Sequence, residues 1–497
     1  MRDIFLLSPY CSKKYEFPQS SLEYIRLYLS DHGYAATIID CAFYDEDLSY
    51  IIERLNIAEK PIVGITAYTR ERFNAYKLIK KIKSYVDGVT IVTGGRHFGF
   101  LPEETLTELP EVDIVVRGEG EITFKSLCDK LMKDESVSDV LGISYRLKGR
   151  VIHNEDRPMD DDIDQFKNFD YEEAKRTKPK LLFPTKLYHR GHFTVSTTRG
   201  CPNSCVFCSL NGSKVRRRSI ENIMTEIKQK IELTGCRNVS FIDSSLTLNK
   251  TFIQSLCEKI IEGQLNITWN CYSRVDIDLN LLSLMKQAGL SSVEIGLESG
   301  SPRVLKAVRK RINLKQVEKF CKEAYRLGIK AYIFCMISLP EEDVEDVNNT
   351  IEFIKRIGPF VYKTGIQTTR ILPDAALYQI AKEKRVLDNS FSWFKDYVNP
   401  YTAKEKYTNP LYDSLPLYIE KLDIETINRK KDEFYEISDI YMMHGHTFFS
   451  AVLDNLKLES LRKLTPRIAI RKTRKLFRKL YGLVKTKYVK MKSSHMG

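Results

Sequence analysis

"TTRGCPNSCVFCSL", residues 197–210, sets Cys201, Cys205 and Cys208 at C-x3-C-x2-C spacing, with no fourth cysteine before Cys236. A closely spaced, all-thiolate set selects zinc or an iron–sulfur cluster. Structural zinc takes four ligands, commonly from paired C-x2-C knuckles, and the other eight cysteines offer no second knuckle. A 4Fe–4S cluster held by three thiolates instead leaves one iron open to chelate a further molecule. The three cysteines are therefore expected to be cluster ligands.

Outward from them, "FTVSTT" (193–198) precedes the loop. "NVSFID" (238–243), "ITWNCY" (267–272), "SVEIGL" (292–297), "IKAYIFCMI" (329–337) and "TGIQTTR" (364–370) follow, each beside a helical stretch. Six such units predict a partial (βα)6 barrel over residues 193–375. Right-handed crossovers then put every strand-end loop, the cysteine loop first among them, on one face. Further upstream, "DIFLL" (3–7), "AATIID" (35–40), "IVGIT" (62–66), "VTIVT" (89–93) and "DIVV" (113–116) are nearly continuous apolar runs separated by amphipathic segments. That is the pattern of a parallel sheet covered on both faces. It predicts an α/β, flavodoxin-like, doubly wound domain over residues 1–140. Ligands of such sheets bind beyond the carboxyl ends of strands, where Pro9, Thr66, "TGGRH" (93–97) and "RGEGE" (117–121) fall. Residues 141–192 are expected to form a hairpin turning at Lys148-Gly149 and then a polar linker, and residues 376–456 a mostly helical region.

The 497 residues are 43% hydrophobic and 29% charged, an ordinary globular composition that excludes a disordered or low-complexity chain. The net charge of +13 resides in one place. Residues 457–497 carry fourteen Lys/Arg and one acid, Glu459, which leaves residues 1–456 with 64 basic and 64 acidic side chains. Within 466–492, Phe477, Leu480, Tyr481, Val484 and Tyr488 recur at helical spacing among Arg474, Lys475, Arg478, Lys479, Lys485 and Lys487. Such a basic amphipathic tail suits an anionic membrane surface or the protein's own body, and nucleic acid less well. Neither a signal-peptide h-region nor a run of about 20 apolar residues is present, so the expected location is cytoplasmic, with peripheral membrane contact through the tail. "HGH" (444–446) offers two histidines without a third partner, too few for a metal site.

With these residues in view, "RGCPNSCVFCS" resembles the signature of the radical S-adenosylmethionine (SAM) family, whose C-x3-C-x-aromatic-C pattern is met by Phe207. The resemblance extends over 193–375 and implies a 4Fe–4S cluster whose free iron binds SAM. It further implies SAM contacts at Asp243 in "FIDSSLTLN", Ser273 and Arg274 in "CYSRVD", and Glu298 and Ser299 in "GLESGS". "MISLPEED" and "RILPDAALYQIA" stand where that family has Leu-Pro-Gly-Glu and Leu-Pro-Gly-Thr turns, with Glu341 and Asp374 replacing the glycines. A flavodoxin-like domain ahead of such a barrel, carrying "TGGRHFGFLPEE" and "PEVDIVVRGEGE", is similar to the cobalamin-binding members of the family. That likeness implies cobalamin contacts at Thr66, Gly94, Gly95, His97, Gly118, Glu119, Gly120 and Glu121. Arg96 stands where the family usually has proline. The D-x-H-x-x-G motif that supplies a cobalt-ligating histidine in cobalamin mutases is absent after the first strand, where "SPYCSKKYEF" stands. Cobalt is therefore expected to carry no protein imidazole.

The function implied is methylation of an unactivated carbon through a 5′-deoxyadenosyl radical and methylcobalamin, with a separate electron donor for the cluster. Two alternatives stay open: a cobalamin-dependent cyclisation, oxidation or rearrangement without net methyl transfer, and a non-catalytic iron–sulfur or zinc-binding protein. The substrate is not legible, and the resemblance names no individual catalytic residue.

Overall fold

In the computed structural model, residues 2–444 are described apart from 10–19, 42–47, 168, 178–190, 211, 398, 402 and 408–413. Most of the loop after the first strand, His446 and the tail at 457–497 thus lie outside the described residues.

The apolar runs of the front part become β1 (Ile4–Ser8), β2 (Ala36–Asp40), β3 (Ile62–Thr66), β4 (Thr90–Gly94) and β5 (Ile114–Val116). They are parallel and ordered β2-β1-β3-β4-β5, the flavodoxin-like order. The runs are continuous because both faces are buried. Phe5 and Leu7 point into one layer with Val63, Ile65 and Ile79, and Ile4 and Leu6 into the other with Val92, Phe124 and Leu127. The hairpin β6 (Ile143–Leu147) and β7 (Arg150–His153) turns at Lys148-Gly149 and adds antiparallel to β5. It extends the first sheet.

The second sheet holds β8 (Phe193–Val195), β11 (Asn238–Phe241), β12 (Thr268–Ser273), β13 (Leu290–Glu298), β14 (Lys330–Ile337) and β15 (Lys363–Thr368). Neighbours follow chain order and all pairs are parallel, with β8 and β15 as free edges, so the array is an open, partial barrel. Its helices start where a polar side chain accepts an orphan N–H: Ser219, Asn249, Asp278, Ser301, Asn313 and Asp343 each cap one. They cover the outer face, where Val239, Trp269, Val293, Ile333 and Ile366 form the main core with Ile227, Leu256, Phe320 and Ile354.

Residues 376–456 are expected to be one mostly helical region. The structure divides it. Residues 414–418 run beside the ends of β14 and β15, with Ser338 Oγ donating to the Tyr418 carbonyl at 2.6 Å. Helical residues 424–438 instead pack on the outer face of β15, burying Phe434 in the main core, with the Tyr435 hydroxyl on the Ile366 carbonyl at 3.0 Å. A third segment reaches the front sheet. Arg72 is fully buried and donates to the carbonyls of Thr69, Trp393 and Ser414 at 2.9, 3.0 and 2.8 Å, while Phe394 stacks on Tyr76. Among the described residues no helix is long and apolar enough to cross a membrane.

Candidate cofactor sites

The cysteine loop is closed at its base by β9 (Thr198–Arg199) and β10 (Arg216–Arg217), a short antiparallel pair. Gly200 makes the turn at φ +92°, and a Cβ there would lie 2.0 Å from the Lys214 carbonyl oxygen, so only glycine fits. Asp243, at the end of β11, is buried. Its carboxylate accepts from the Thr197 and Thr198 amides at 2.8 and 2.5 Å and from their hydroxyls at 3.1 and 2.8 Å. Burial pushes the Asp243 carboxyl up against these bonds. Val206 is stitched on both sides, its N–H to the Val308 carbonyl and its carbonyl to the Leu377 N–H.

The sulfurs sit among donors and cations. Cys201 Sγ accepts from Asn203 Nδ2, and Cys208 Sγ from the Leu210 amide, both at 3.4 Å. Burial raises the Cys205 and Cys208 thiols, opposed by the charge of Lys310 at both, of Arg274 at Cys205 and of Arg96 at Cys208. Among the described residues no three His, Cys, Asp or Glu side chains close on one metal ion. The N–H donors and nearby cations suit the negative charge that a cluster on three thiolates would carry.

The SAM assignments separate. Glu298 ends β13 at φ +65° after a register shift between Gly296 and Glu298, a backbone state disfavoured outside glycine. The shift folds its carboxylate back over Gly296, where Oε1 takes a 2.9 Å ion pair from Lys310. Glu298, Lys310 and Arg274 all act electrostatically on Cys205, so the end of β13 and the cysteine loop share one field. Asp243, Ser273 and Ser299 do not present free groups. Asp243 is saturated by the two threonines, Ser273 by Thr247 at 2.9 Å and the Arg274 carbonyl, and Ser299 by Thr350 and the Ser301 amide. Each of these three side chains is hydrogen-bonded within the protein, and Asp243 also lines the cleft toward the front sheet. Phe207 is half-buried and packs against two small apolar clusters.

A cleft of about 770 Å³ separates the carboxyl ends of β1, β3, β4 and β5 from the cysteine loop. Thr66, Gly94, Gly95, Gly118, Glu119, Gly120 and Glu121 line one wall, and Gly200, Ser209, Leu210 and Ser213 the other. Its floor depends on absent side chains. A Cβ on Gly95 would meet Thr66 Oγ1 at 2.3 Å, and one on Gly64 would meet Leu6 and Phe124 at 2.9 and 3.0 Å. The glycine backbone and the apolar slot beside Leu6, Ile25 and Phe124 fit a bulky corrin with an attached nucleotide.

Glu119 and Glu121 also do something the sequence did not show. Glu121 pairs with Arg199 at 2.7 Å, and Glu119 accepts from Arg216 at 2.9 Å, tying the front sheet to the base of the cysteine loop. Arg96 and Asp374 extend the tie. Arg96 Nη1 donates to the Ser209 carbonyl at 2.9 Å and lies 3.6 Å from Asp374, which accepts from Ser209 Oγ at 2.8 Å. The residues standing for a usual proline and a usual glycine are thus opposite charges that meet, a signal legible in the sequence had the two departures been read together. The other departure, Glu341, keeps a glycine-like φ of +66°, held by ion pairs with Lys384 and Lys421.

His97 is not on the cleft. Its ring is fully buried beside Tyr76, Phe98 and Phe394, with Nε2 bonded to the Tyr76 hydroxyl, and burial lowers its pKa well below the usual range. The helical turn at 95–98 directs the side chain at 97 into the core. The cob(II)alamin electron paramagnetic resonance spectrum is therefore expected to lack hyperfine structure from a protein imidazole. Such structure, lost in His97→Ala, would contradict this placement.

Comparison with known proteins agrees with these geometries. The Radical SAM superfamily matches residues 195–354 and the B12 binding domain matches residues 12–128. The chain is 32% identical to an uncharacterized methyltransferase of Pyrococcus horikoshii, covering 85% of this chain and 90% of that one. It is 26% identical to the anaerobic magnesium-protoporphyrin IX monomethyl ester cyclase of Synechocystis sp., covering 72% of each. Among solved structures, the radical SAM methyltransferase TsrM of Kitasatospora setae superposes with a TM-score of 0.70 at 15% identity, covering 88% of this chain and 89% of that one. A three-thiolate loop at the mouth of a partial barrel, facing a glycine-floored cleft on a flavodoxin-like sheet, accompanies these matches along most of the chain, and the protein belongs to the cobalamin-binding radical SAM family, whose cofactors are a 4Fe–4S cluster, SAM and cobalamin.

Proposed function

We propose that the protein methylates an unactivated carbon. The observation that carries this reading is the shared space: the cleft lined by Gly94, Gly95 and Gly118 is also lined by Gly200 and Ser209 of the cysteine loop. When bound, the cluster with SAM supplies a hydrogen-abstracting radical and cobalamin supplies the methyl group. The chain's own residues hold the two sites in one register. Asp243 locks the entry to the cysteine loop, and the Arg199–Glu121, Arg216–Glu119 and Arg96–Ser209 contacts keep the front sheet against it. Enclosure between these walls limits water at the reacting carbon.

Methyltransferase relatives support this reading, and two SAM are expected to be consumed per product, one appearing as S-adenosylhomocysteine. A second reading, ring closure or oxidation without methyl transfer, is favoured by the 26% identity to a cyclase. Product formation without S-adenosylhomocysteine would select it. In either case the cluster needs an electron donor.

For residues 466–492, outside the described residues, the reading is reversible attachment to an anionic membrane. Its support is compositional: an apolar stripe among Lys and Arg, each worth about 1 kcal/mol near an anionic leaflet. The full chain is expected to cosediment with anionic but not neutral liposomes, less so in high salt. Equal binding after deletion of 466–497 would overturn it.

A further inference from the structure

On the side away from the cleft the cysteine loop is covered by a segment that carries charge of one sign. From Pro302 to Gln316 the chain has six Lys or Arg and no acid. The segment opens with the short helix Pro302–Ala307, and Val304 and Val308 close over Val206 of the cysteine loop. The chain then turns. Arg309 takes φ +55°, and the Arg309 and Lys310 amides donate back to the Lys306 and Leu305 carbonyls at 3.1 and 2.8 Å. Such a turn favours glycine or asparagine, and here it holds an arginine.

The cover is one residue thick at this point. The Arg309 carbonyl oxygen lies 3.9 Å from Cys205 Sγ, and the Arg309 side chain is exposed. On its other side the loop lines the cleft through Gly200, Ser209 and Leu210, with the front sheet opposite, so a second protein has no room there.

Two of the six cations are taken: Arg303 pairs with Asp343 at 2.8 Å and with Asp346, and Lys310 with Glu298 at 2.9 Å. The acids on the neighbouring loop are also occupied. Asp276 pairs at 3.2 Å with Arg274, which donates to the Arg311 carbonyl, and Asp278 caps the helix Leu279–Gln287. Lys306, Arg309, Arg311 and Lys315 are exposed and form no ion pair with a described residue. Residues 1–456 are neutral as a whole, so this excess is local.

We infer that Lys306, Arg309 and Arg311 form the docking surface for an acidic one-electron carrier protein, which reduces the cluster across the Arg309 turn. Each encounter moves one electron: the carrier's centre is oxidised, the cluster is reduced, and no proton or group is exchanged. Charge speeds such an encounter without requiring a large interface, as brief redox complexes do. The inference rests on the enzymatic reading above, since it names the partner of that same cluster.

The test uses the full-length holoenzyme, an acidic plant-type 2Fe–2S ferredoxin, and reduced methyl viologen, a small cation that needs no docking surface. Oxidised ferredoxin is expected to bind with a dissociation constant that rises about fivefold between about 50 and 300 mM salt. Lys306→Glu and Arg309→Glu should each weaken that binding about fivefold and slow ferredoxin-driven formation of 5′-deoxyadenosine by a similar factor. The viologen-driven rate and the iron and sulfide content should be kept. If Arg309→Glu fails to fold, Arg311→Glu takes its place with the same expected loss. Lys80→Glu makes the same charge change on the front helix Arg72–Tyr85, where Lys80 is exposed, and should leave ferredoxin binding unchanged. Equal weakening by Lys80→Glu overturns the inference, because net charge and not this face would then be read. Absence of ferredoxin binding, or binding indifferent to every reversal on the 306–311 segment, overturns it too. Binding of a DNA duplex in place of ferredoxin, lost in the same variants, also overturns it. Lack of 5′-deoxyadenosine with viologen, alongside ferredoxin binding that responds to the reversals, sinks the enzymatic reading. Viologen-driven 5′-deoxyadenosine with unresponsive ferredoxin sinks this inference alone.

Discussion

Alanine at any one of Cys201, Cys205 or Cys208 is expected to abolish SAM cleavage and the cluster absorbance. The three sulfurs share one loop, and among the described residues no other cysteine is placed to substitute: Cys41, Cys128, Cys257, Cys271, Cys321 and Cys335 are buried in packed cores, and the half-buried Cys236 donates to the Gly191 carbonyl before the start of β11. A two-thiolate remnant leaves a second iron open to water and loss. The measurement is iron and sulfide content with visible absorbance on anaerobically purified variants. A full 4Fe–4S complement in the triple alanine variant would overturn the assignment, and stoichiometric zinc in the native protein would favour the non-catalytic alternative.

The next largest effect is expected at Asp243, and the two obvious substitutions should differ. Asp243→Ala strands two amides and two hydroxyls in a buried position, each unsatisfied group costing about 1–3 kcal/mol. The entry to the cysteine loop should lose its geometry and the cluster should be lost or fall several-fold in occupancy. Asp243→Asn keeps Oδ1, which takes three of the four bonds, and the Thr197 hydroxyl can turn to accept from the new amide. Cluster content near the native level is therefore expected for Asn. If the carboxylate instead served by its charge on SAM, Asn would keep the cluster yet weaken SAM binding as strongly as Ala; SAM affinity by equilibrium dialysis decides between the two.

The contrast between Asp243 and Glu298 shows where reading the chain stops being sufficient. Both are acids at the ends of barrel strands and both match positions expected to touch SAM. One is turned inward by the two threonines beside the cysteine loop, and the other is turned toward the cysteines by a register shift in β13. His97 is a similar case: the glycine-rich motif lies at the cleft, while a single helical turn aims that one side chain into the Tyr76 and Phe394 packing. Arg96 and Asp374 show the reverse case, two departures from a familiar pattern that have meaning only once they are 3.6 Å apart.

Local pattern alone carried the architecture and the cluster. Continuous apolar runs announced a sheet buried on both faces, alternating strand and helix announced the second array, and C-x3-C-x2-C spacing named the metal centre. These signals survive without tertiary information because period and spacing are properties of neighbouring residues. Which polar side chains remain free was settled only when the two sheets came together. Arg199, Arg216 and Arg96 close the space between them through partners between 78 and 278 residues away, and Phe334 stays 42% exposed on the inner face of a sheet whose other face is covered by helices. Satisfaction of a buried charge, and exposure of an aromatic ring, depend on which distant segment arrives beside it, and that is set by packing rather than by the residues on either side.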